Sequence, residues 1–108
     1  MQVLDHEPHS WFLFEANGAL YLDANCNHGA FGYSFMIRLS AAEVQRYRDE
    51  GRDYLSWLAQ DIHNSAPILS ASSSPYQPRK AAPEEEAHAS MALAAWQAER
   101  IQAIRGAR

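Results

Sequence analysis

The segment of residues 11–24 constrains the fold more than any other part of the chain. It reads WFLFEANGALYLDA, with a run of apolar and β-favouring residues on each side of Asn17-Gly18. A type I′ turn requires positive φ at both central residues, and Asn-Gly adopts these angles at low cost. We therefore predict a β-hairpin in which Phe14 pairs with Tyr21. The same register pairs Ala16 with Ala19, Leu13 with Leu22 and Trp11 with Ala24.

This register divides the side chains of the hairpin between two faces, and both faces are apolar. An antiparallel sheet with one solvated face alternates apolar and polar residues, and this hairpin does not. We therefore expect each face to be covered, at least in part, by a helix, another sheet or another chain. One face carries Trp11, Leu13, Leu20, Leu22 and Ala24, with Glu15 near the turn. The other carries Phe12, Phe14, Ala16, Ala19 and Tyr21, with Asp23 at the open end.

A third strand is predicted over residues 33–39, where apolar and polar positions alternate and Met36 falls on the wetter face. The preceding segment 25–32, NCNHGAFG, is rich in turn residues and is interpreted as a connection. Residues 1–10 are interpreted as a lead-in. An edge strand fits their start, but Pro8 argues against a continuous one because proline cannot donate to a ladder. The simplest arrangement is a three-stranded antiparallel meander.

A long amphipathic helix is predicted from the capping box Ser40-Ala-Ala-Glu43 to about His63. Its apolar residues recur every three or four positions, which places them on one side of the helix. Gly51 interrupts this stripe and costs about 1 kcal/mol relative to alanine in an exposed helix. It marks either a close contact with the sheet or a bend. The stripe contains Val44, Tyr47, Tyr54, Leu55, Leu58 and Ile62.

The rest of the chain changes character. Residues 65–82 are rich in serine, proline and alanine, which predicts a linker or extended arm. Pro83 and the three glutamates after it then favour a helix that runs to about Ile104. This helix docks on its own domain, pairs with another chain or frays, and the sequence leaves all three open. Its apolar residues are scattered: Met91, Ala94, Ala98 and Ile101 share one side, whereas Leu93, Trp96 and Ile104 point elsewhere.

Together these segments predict an α+β fold. A three-stranded antiparallel β-meander packs against one long amphipathic helix, and a Pro/Ser-rich arm and a C-terminal helix follow. We divide the chain into an α+β core domain of residues 1–64, the arm of residues 65–82 and the C-terminal helix of residues 83–108.

The charge balance excludes some classes of partner. The net charge is −4, and residues 1–64 hold nine acidic residues against four arginines. Nothing in this distribution resembles the basic footprint of a nucleic-acid-binding protein. No apolar run approaches the roughly 20 residues of a membrane span, and the acidic N-terminus does not resemble a signal peptide. We expect a small soluble, cytoplasmic protein that binds neither nucleic acid nor membranes.

Two overlapping sets of residues near the open end of the hairpin suggest chemistry, and the first is a set of candidate metal ligands. His6 and His9 precede it, and Cys26 and His28 follow it. Imidazole and thiolate are the usual ligands of Zn²⁺, so these four residues are the candidate metal ligands. The spacing Cys-x-His is not that of a standard zinc knuckle, and a single cysteine excludes a cysteine-rich site. We predict no cofactor, with zinc as the alternative.

The second set is a polar cluster around the cysteine. A thiol nucleophile at Cys26 would need a histidine as base and a further group to orient it. The alternative is that Cys26 behaves as a small, semi-buried hydrophobe and that its polar neighbours cap their own loop. The candidate cluster comprises Asp23, Asn25, Cys26, Asn27 and His28.

The aromatic residues Phe12, Phe14 and Tyr21 form the candidate interface, because aromatic side chains dominate interface energetics. Either the chain itself covers them or a partner does. We expect a non-enzymatic interaction protein: a homodimer, or an acidic inhibitor, immunity or adaptor protein that blocks a basic partner. The alternative is a small metal-binding protein or thiol enzyme that uses the His/Cys cluster.

Overall fold

The computed structural model describes residues 1–28, 31–65 and 74–106, and it shows an α+β fold. Four strands form one antiparallel sheet in the order β1-β2-β3-β4. The strands are β1 Gln2–Glu7, β2 Trp11–Ala16, β3 Ala19–His28 and β4 Phe31–Arg38. The helices are α1 Ala41–Glu50, α2 Arg52–Ser65 and α3 Pro83–Gly106, with a 3₁₀ turn at Gln77–Arg79. In the described part of the chain, no helix is both long and apolar enough to cross a membrane.

The predicted hairpin is confirmed. Strands β2 and β3 pair in the expected register, with Phe14 opposite Tyr21 and Trp11 opposite Ala24. Asn17 and Gly18 have φ angles of 52° and 83°, as a type I′ turn requires. The division of side chains between two apolar faces follows from this register and is also confirmed.

The prediction of three strands is wrong, because residues 2–7 form a fourth strand that pairs with β2. Pro8 does not interrupt this strand but follows it, at the second position of a turn from Glu7 to Ser10. His9 has a φ of 63°, which suits the third position of a type II turn, and the Ser10 amide donates to the Glu7 carbonyl at 3.0 Å. The sequence pattern was obscured by a register shift between Val3 and Asp5.

The interpretation of residues 25–32 as a connection is also wrong. Strand β3 continues to His28, and Cys26 pairs with Tyr33 of β4. Met36 of β4 is 4% exposed, although Ser34 and Arg38 on the same face are exposed. Met36 is buried because a second helix covers the part of this face on which it lies.

The single long helix is in fact two helices. The capping box at Ser40 is confirmed, since its hydroxyl accepts from the Glu43 amide and the Glu43 carboxylate accepts from the Ser40 amide. α1 then ends at Gly51, whose φ of 73° and ψ of −151° lie in a region that only glycine adopts readily. Gly51 is therefore a bend, and α1 buries no residue whereas α2 buries five.

The substitution Gly51→Ala tests this bend. We expect it to lower the free energy of unfolding by about 1–3 kcal/mol through backbone strain alone. Nothing lies within 4 Å of the added methyl group, so steric contact contributes little. A continuous helix would give the opposite sign, a gain of about 1 kcal/mol. Urea unfolding measures the difference, and the exposed Arg48→Ala variant is the control, with an expected change within about 0.5 kcal/mol.

Helices cover both faces of the sheet. α2 lies on the first face, where the Trp11 indole nitrogen donates to the Ser56 hydroxyl at 3.1 Å. The side chains buried on this side include Trp11, Leu13, Leu22, Cys26, Phe35, Ile37, Leu55, Leu58 and Ile62. α3 covers the second face, and the side chains packed there include Phe12, Phe14, Tyr21, Met36, Ala89 and Leu93. The fold therefore has three layers, with the sheet in the middle.

The described residues 74–82 pass along the outer edge of β4. The Ala81 amide donates to the Met36 carbonyl of this edge strand at 2.8 Å. Arg79 donates to both carboxylate oxygens of Glu43, at 2.5 and 3.0 Å. These contacts fix the start of α3 next to the second face of the sheet. The rest of the predicted arm, residues 66–73, lies outside the described part of the chain.

Candidate functional site

Cys26 lies in the core between the sheet and α2 and is 0% exposed. Burial raises the pKa of its thiol, and its sulfur lies 3.7 Å from the Ala24 carbonyl oxygen. A nucleophilic cysteine needs a lowered pKa and access to substrate, whereas Cys26 has a raised pKa and no access. The geometry therefore does not favour the thiol-enzyme hypothesis.

The candidate metal ligands do not come together. The ring of His6 lies on the α3 side of the sheet, where it stacks on Phe12 and meets the edge of Trp96 at a centroid distance of 4.7 Å. Cys26 lies on the opposite side, and His9 lies in the β1–β2 turn. Among the residues that the structure describes, no group of three or more His, Cys, Asp or Glu side chains is placed to hold a metal ion. The side chain of His28 lies outside the described residues.

Part of the predicted polar cluster lines an open cleft of about 340 Å³ at the open end of the hairpin. There the side-chain amide of Asn25 donates to the His9 carbonyl at 2.9 Å and holds the β1–β2 turn against β3. α2 contributes Gln60 and His63 to the same cleft. The side chain of Asn27 lies outside the described residues.

The aromatic residues of the candidate interface lie beneath α3. Phe14 is 1% and Tyr21 6% exposed, and the Tyr21 hydroxyl donates to Glu85 at 2.5 Å. Phe12 meets the edge of Trp96 at a centroid distance of 5.4 Å. A partner that binds these three aromatic residues directly would therefore have to displace α3.

Asp23 lies apart from Cys26, in a pocket of about 90 Å³ between the sheet and α3. Burial is the main cause that raises the pKa of Asp23 to about 6, and the negative charge of Glu86 adds to it. A hydrogen bond with Ser34 partly offsets both effects on this pKa. Glu86 is itself paired with Lys80 at 2.9 Å. The pocket is smaller than a typical small-molecule site. The raised pKa of Asp23 instead makes the stability of the protein depend on pH.

The exposed surface of α1 and α2 carries a large aromatic side chain at Trp57, which is 53% exposed. Its ring stacks on Tyr54, with 6.0 Å between the ring centroids. The guanidinium of Arg46, from α1, lies 4.5 Å from the Tyr54 ring centroid and 5.5 Å from that of Trp57. Glu50 binds Arg46 at 2.8 Å. We call this arrangement of Arg46, Glu50, Tyr54 and Trp57 the Trp57 surface.

Neither the Trp57 surface nor the position of His63 in the cleft follows from the sequence pattern. Trp57 lies one position from the apolar stripe of the helix, where a tryptophan is usually a flanking part of the core. The sequence does indicate the exposure of Trp57 in one way. Asp53 and Gln60, each about one helical turn from Trp57, are polar, and polar neighbours at this spacing indicate the solvent side of a helix. His63 lines the same cleft as His9 because α2 packs on the sheet.

Comparison with known proteins adds no relative. No family model, curated protein or solved structure matches this chain. Because one fold hosts many unrelated functions, a sheet between two helical layers does not by itself imply an activity. The function has to be inferred from the chemistry of the surfaces described above.

Proposed function

We propose that this protein is a non-enzymatic interaction protein that binds a basic protein partner through the Trp57 surface, as an inhibitor, immunity or adaptor protein does. The observation that carries this proposal is the half-exposed indole of Trp57. Tryptophan is among the residues most enriched at interface hot spots, where it supplies a large apolar contact. Burial of this exposed apolar area by a partner would be favourable.

The Trp57 side chain is held in place before any partner binds. It stacks on Tyr54, which is 4% exposed and belongs to the core, and Arg46 extends across both rings. Binding therefore orders few additional rotamers, and immobilising a side chain typically costs about 0.5–1.5 kcal/mol. Such pre-organisation distinguishes this ring from an aromatic residue that is exposed by chance.

The charges around the surface favour a basic partner. Asp53 is exposed one turn before Trp57 on α2, and Asp49 is exposed on α1. Arg46 is neutralised by Glu50, and Arg52 is bound by two carboxylates of β1. These two arginines are thus occupied, whereas a cationic side chain of a partner finds an aromatic face and carboxylates together.

The substitution Trp57→Ala tests the proposal. We expect the variant to keep its fold, with a loss of unfolding free energy of about 1 kcal/mol or less, because the ring is largely outside the core. We expect its affinity for the partner to fall by about 30-fold or more, as the loss of a hot-spot tryptophan does. The partner is isolated by affinity capture from the source cell on the immobilised wild type, and its Kd is then measured by calorimetry.

The matched control is Leu4→Ala, which removes an apolar side chain that is 44% exposed on β1. We expect Leu4→Ala to bind as the wild type does, and we expect binding to weaken as salt is raised. Equal affinity of the wild type and Trp57→Ala for the purified partner would refute the proposal, as would a captured partner of acidic charge.

A further inference from the structure

α3 has two sides that differ in their surroundings. One side packs on the sheet through Ala89, Leu93 and Trp96. The opposite side faces solvent along the described length of the helix, and it is apolar. Its residues are Ala87, Met91, Ala94, Ala98 and Ile101, all of them exposed, with Met91 at 71% and Ile101 at 53%. We call these five residues the α3 seam.

The α3 seam has the spacing of a coiled-coil contact. Its residues follow one another at intervals of four, three, four and three, which is the a/d pattern of a heptad repeat. The flanking positions carry His88, Ser90, Ala95, Gln97 and Gln102, none of them an acid, a lysine or an arginine. A charge-free, alanine-rich stripe allows a second helix to approach closely, and the fold of the monomer leaves this stripe unpaired.

We propose that the α3 seam is a homodimer interface, on which a second copy of this chain packs its own α3 in the antiparallel direction. In this direction a two-fold axis passes near Ala94 and brings each large residue against a small one. Met91 of one chain meets Ala98 of the other, and Ala87 meets Ile101. The parallel direction places like residues opposite each other and leaves gaps between alanines, which close packing disfavours.

The charges at the two ends of α3 support the same direction. The helix begins with Glu84-Glu85-Glu86, and Arg105 lies in its last turn. Glu84 is exposed, and antiparallel pairing places it beside the basic end of the second helix. The helix dipoles are then also opposed, which is favourable, whereas parallel pairing brings the acidic ends together.

This proposal is independent of the Trp57 surface, because α3 and α2 lie on opposite faces of the sheet. A single pair of helices buries little surface, so we expect an equilibrium between monomer and dimer in the micromolar range. The dimer leaves both Trp57 surfaces free, which makes it a two-site binder.

Sedimentation over a range of concentrations tests the interface. We expect Ala94→Glu to raise the dimer Kd by about 100-fold or more, because two carboxylates then face each other on the axis. The matched control is Ala103→Glu, since Ala103 is exposed on the side of α3 opposite to Ala94. We expect this control to dimerise as the wild type does. A wild type that stays monomeric into the millimolar range, or equal effects of the two variants, would overturn the proposal.

Disulfide trapping tests the direction. Two single variants, Ala87→Cys and Ile101→Cys, are mixed and oxidised under native conditions, while Cys26 stays buried. Antiparallel pairing joins one variant to the other, so we expect the mixed disulfide to predominate. Predominance of disulfides within each variant would contradict the antiparallel direction. Far-UV circular dichroism of each variant confirms that its fold is retained before oxidation.

Discussion

Replacement of Phe14 by alanine is expected to lower the free energy of unfolding by about 3–5 kcal/mol. Phe14 is 1% exposed and packs with Tyr21, Met36 and Ala89 beneath α3. The large effect depends on α3, because without this helix the ring would lie on an open face of the sheet. A loss below about 1 kcal/mol, typical of a surface position, would show that α3 does not cover this face in solution.

A double-mutant cycle assigns the effect to α3 directly. Leu93 of α3 lines the same pocket as Phe14, so we expect the variants Phe14→Ala and Leu93→Ala to be coupled by about 1 kcal/mol or more. Met91→Ala is the control, since Met91 lies on the solvent side of the same helix. Its effect should add to that of Phe14→Ala without coupling. Urea unfolding at a protein concentration well below the proposed dimer Kd measures the free energies of the wild type and of every variant on the monomer.

The second large effect is the stabilisation expected from Asp23→Asn. Burial and the charge of Glu86 raise the pKa of Asp23 from 3.8 to about 6 in the folded protein. The folded state therefore holds this proton more tightly than the unfolded state, and its stabilising effect is lost as the pH rises from about 4 to above 6. A pKa increase of this size corresponds to about 3 kcal/mol. Asparagine stays neutral, so we expect a gain of about 2–3 kcal/mol at pH 8 and almost none at pH 4.

The measurement is the difference in unfolding free energy between wild type and Asp23→Asn from pH 4 to pH 8. Taking the difference cancels groups with the opposite trend, such as Glu43, whose pKa is lowered by its contacts with Arg79 and Ser40 despite the burial that opposes them. The exposed Asp53→Asn variant is the control and should differ from the wild type by less than about 0.5 kcal/mol at every pH. A difference curve for Asp23→Asn that is flat with pH would contradict a buried, titrating carboxyl group.

The features that the sequence predicts well are those that neighbouring residues decide. The turn at Asn17-Gly18 needs only its own backbone angles, and it determines the register of β2 and β3. The capping box at Ser40 likewise involves residues within one helical turn. Because both faces of the hairpin are apolar, the need for two covering layers also follows from the sequence.

The features that the sequence misses depend on distant contacts. β1 is stabilised by pairing with β2 and contains an irregularity near Leu4, so its alternation is broken at the level of sequence. The bend at Gly51 is one of the two outcomes that the sequence allows. α3 shows no amphipathic pattern because the side that meets the sheet and the side that faces solvent are both apolar.

The candidate site residues divide in the same way. Asn25 reaches the β1–β2 turn, as expected of a residue at the open end of the hairpin. His6 and Cys26 both lie on strands near the open end of the hairpin, but their side chains lie on opposite faces of the sheet. The register of a strand decides which of its side chains lie on which face of the sheet. The register shift between Val3 and Asp5 hides this for β1.

The burial of Cys26 has a consequence for experiments on this protein. A thiol reagent reaches this sulfur only when the sheet separates from α2, because the residue is 0% exposed in the native state. When reclosing is fast, the labelling rate is the intrinsic thiol rate multiplied by the population of the open state. The chain thus carries its own reporter, and the modification kinetics of one native atom give the opening equilibrium without denaturant, in dilute buffer or in a living cell.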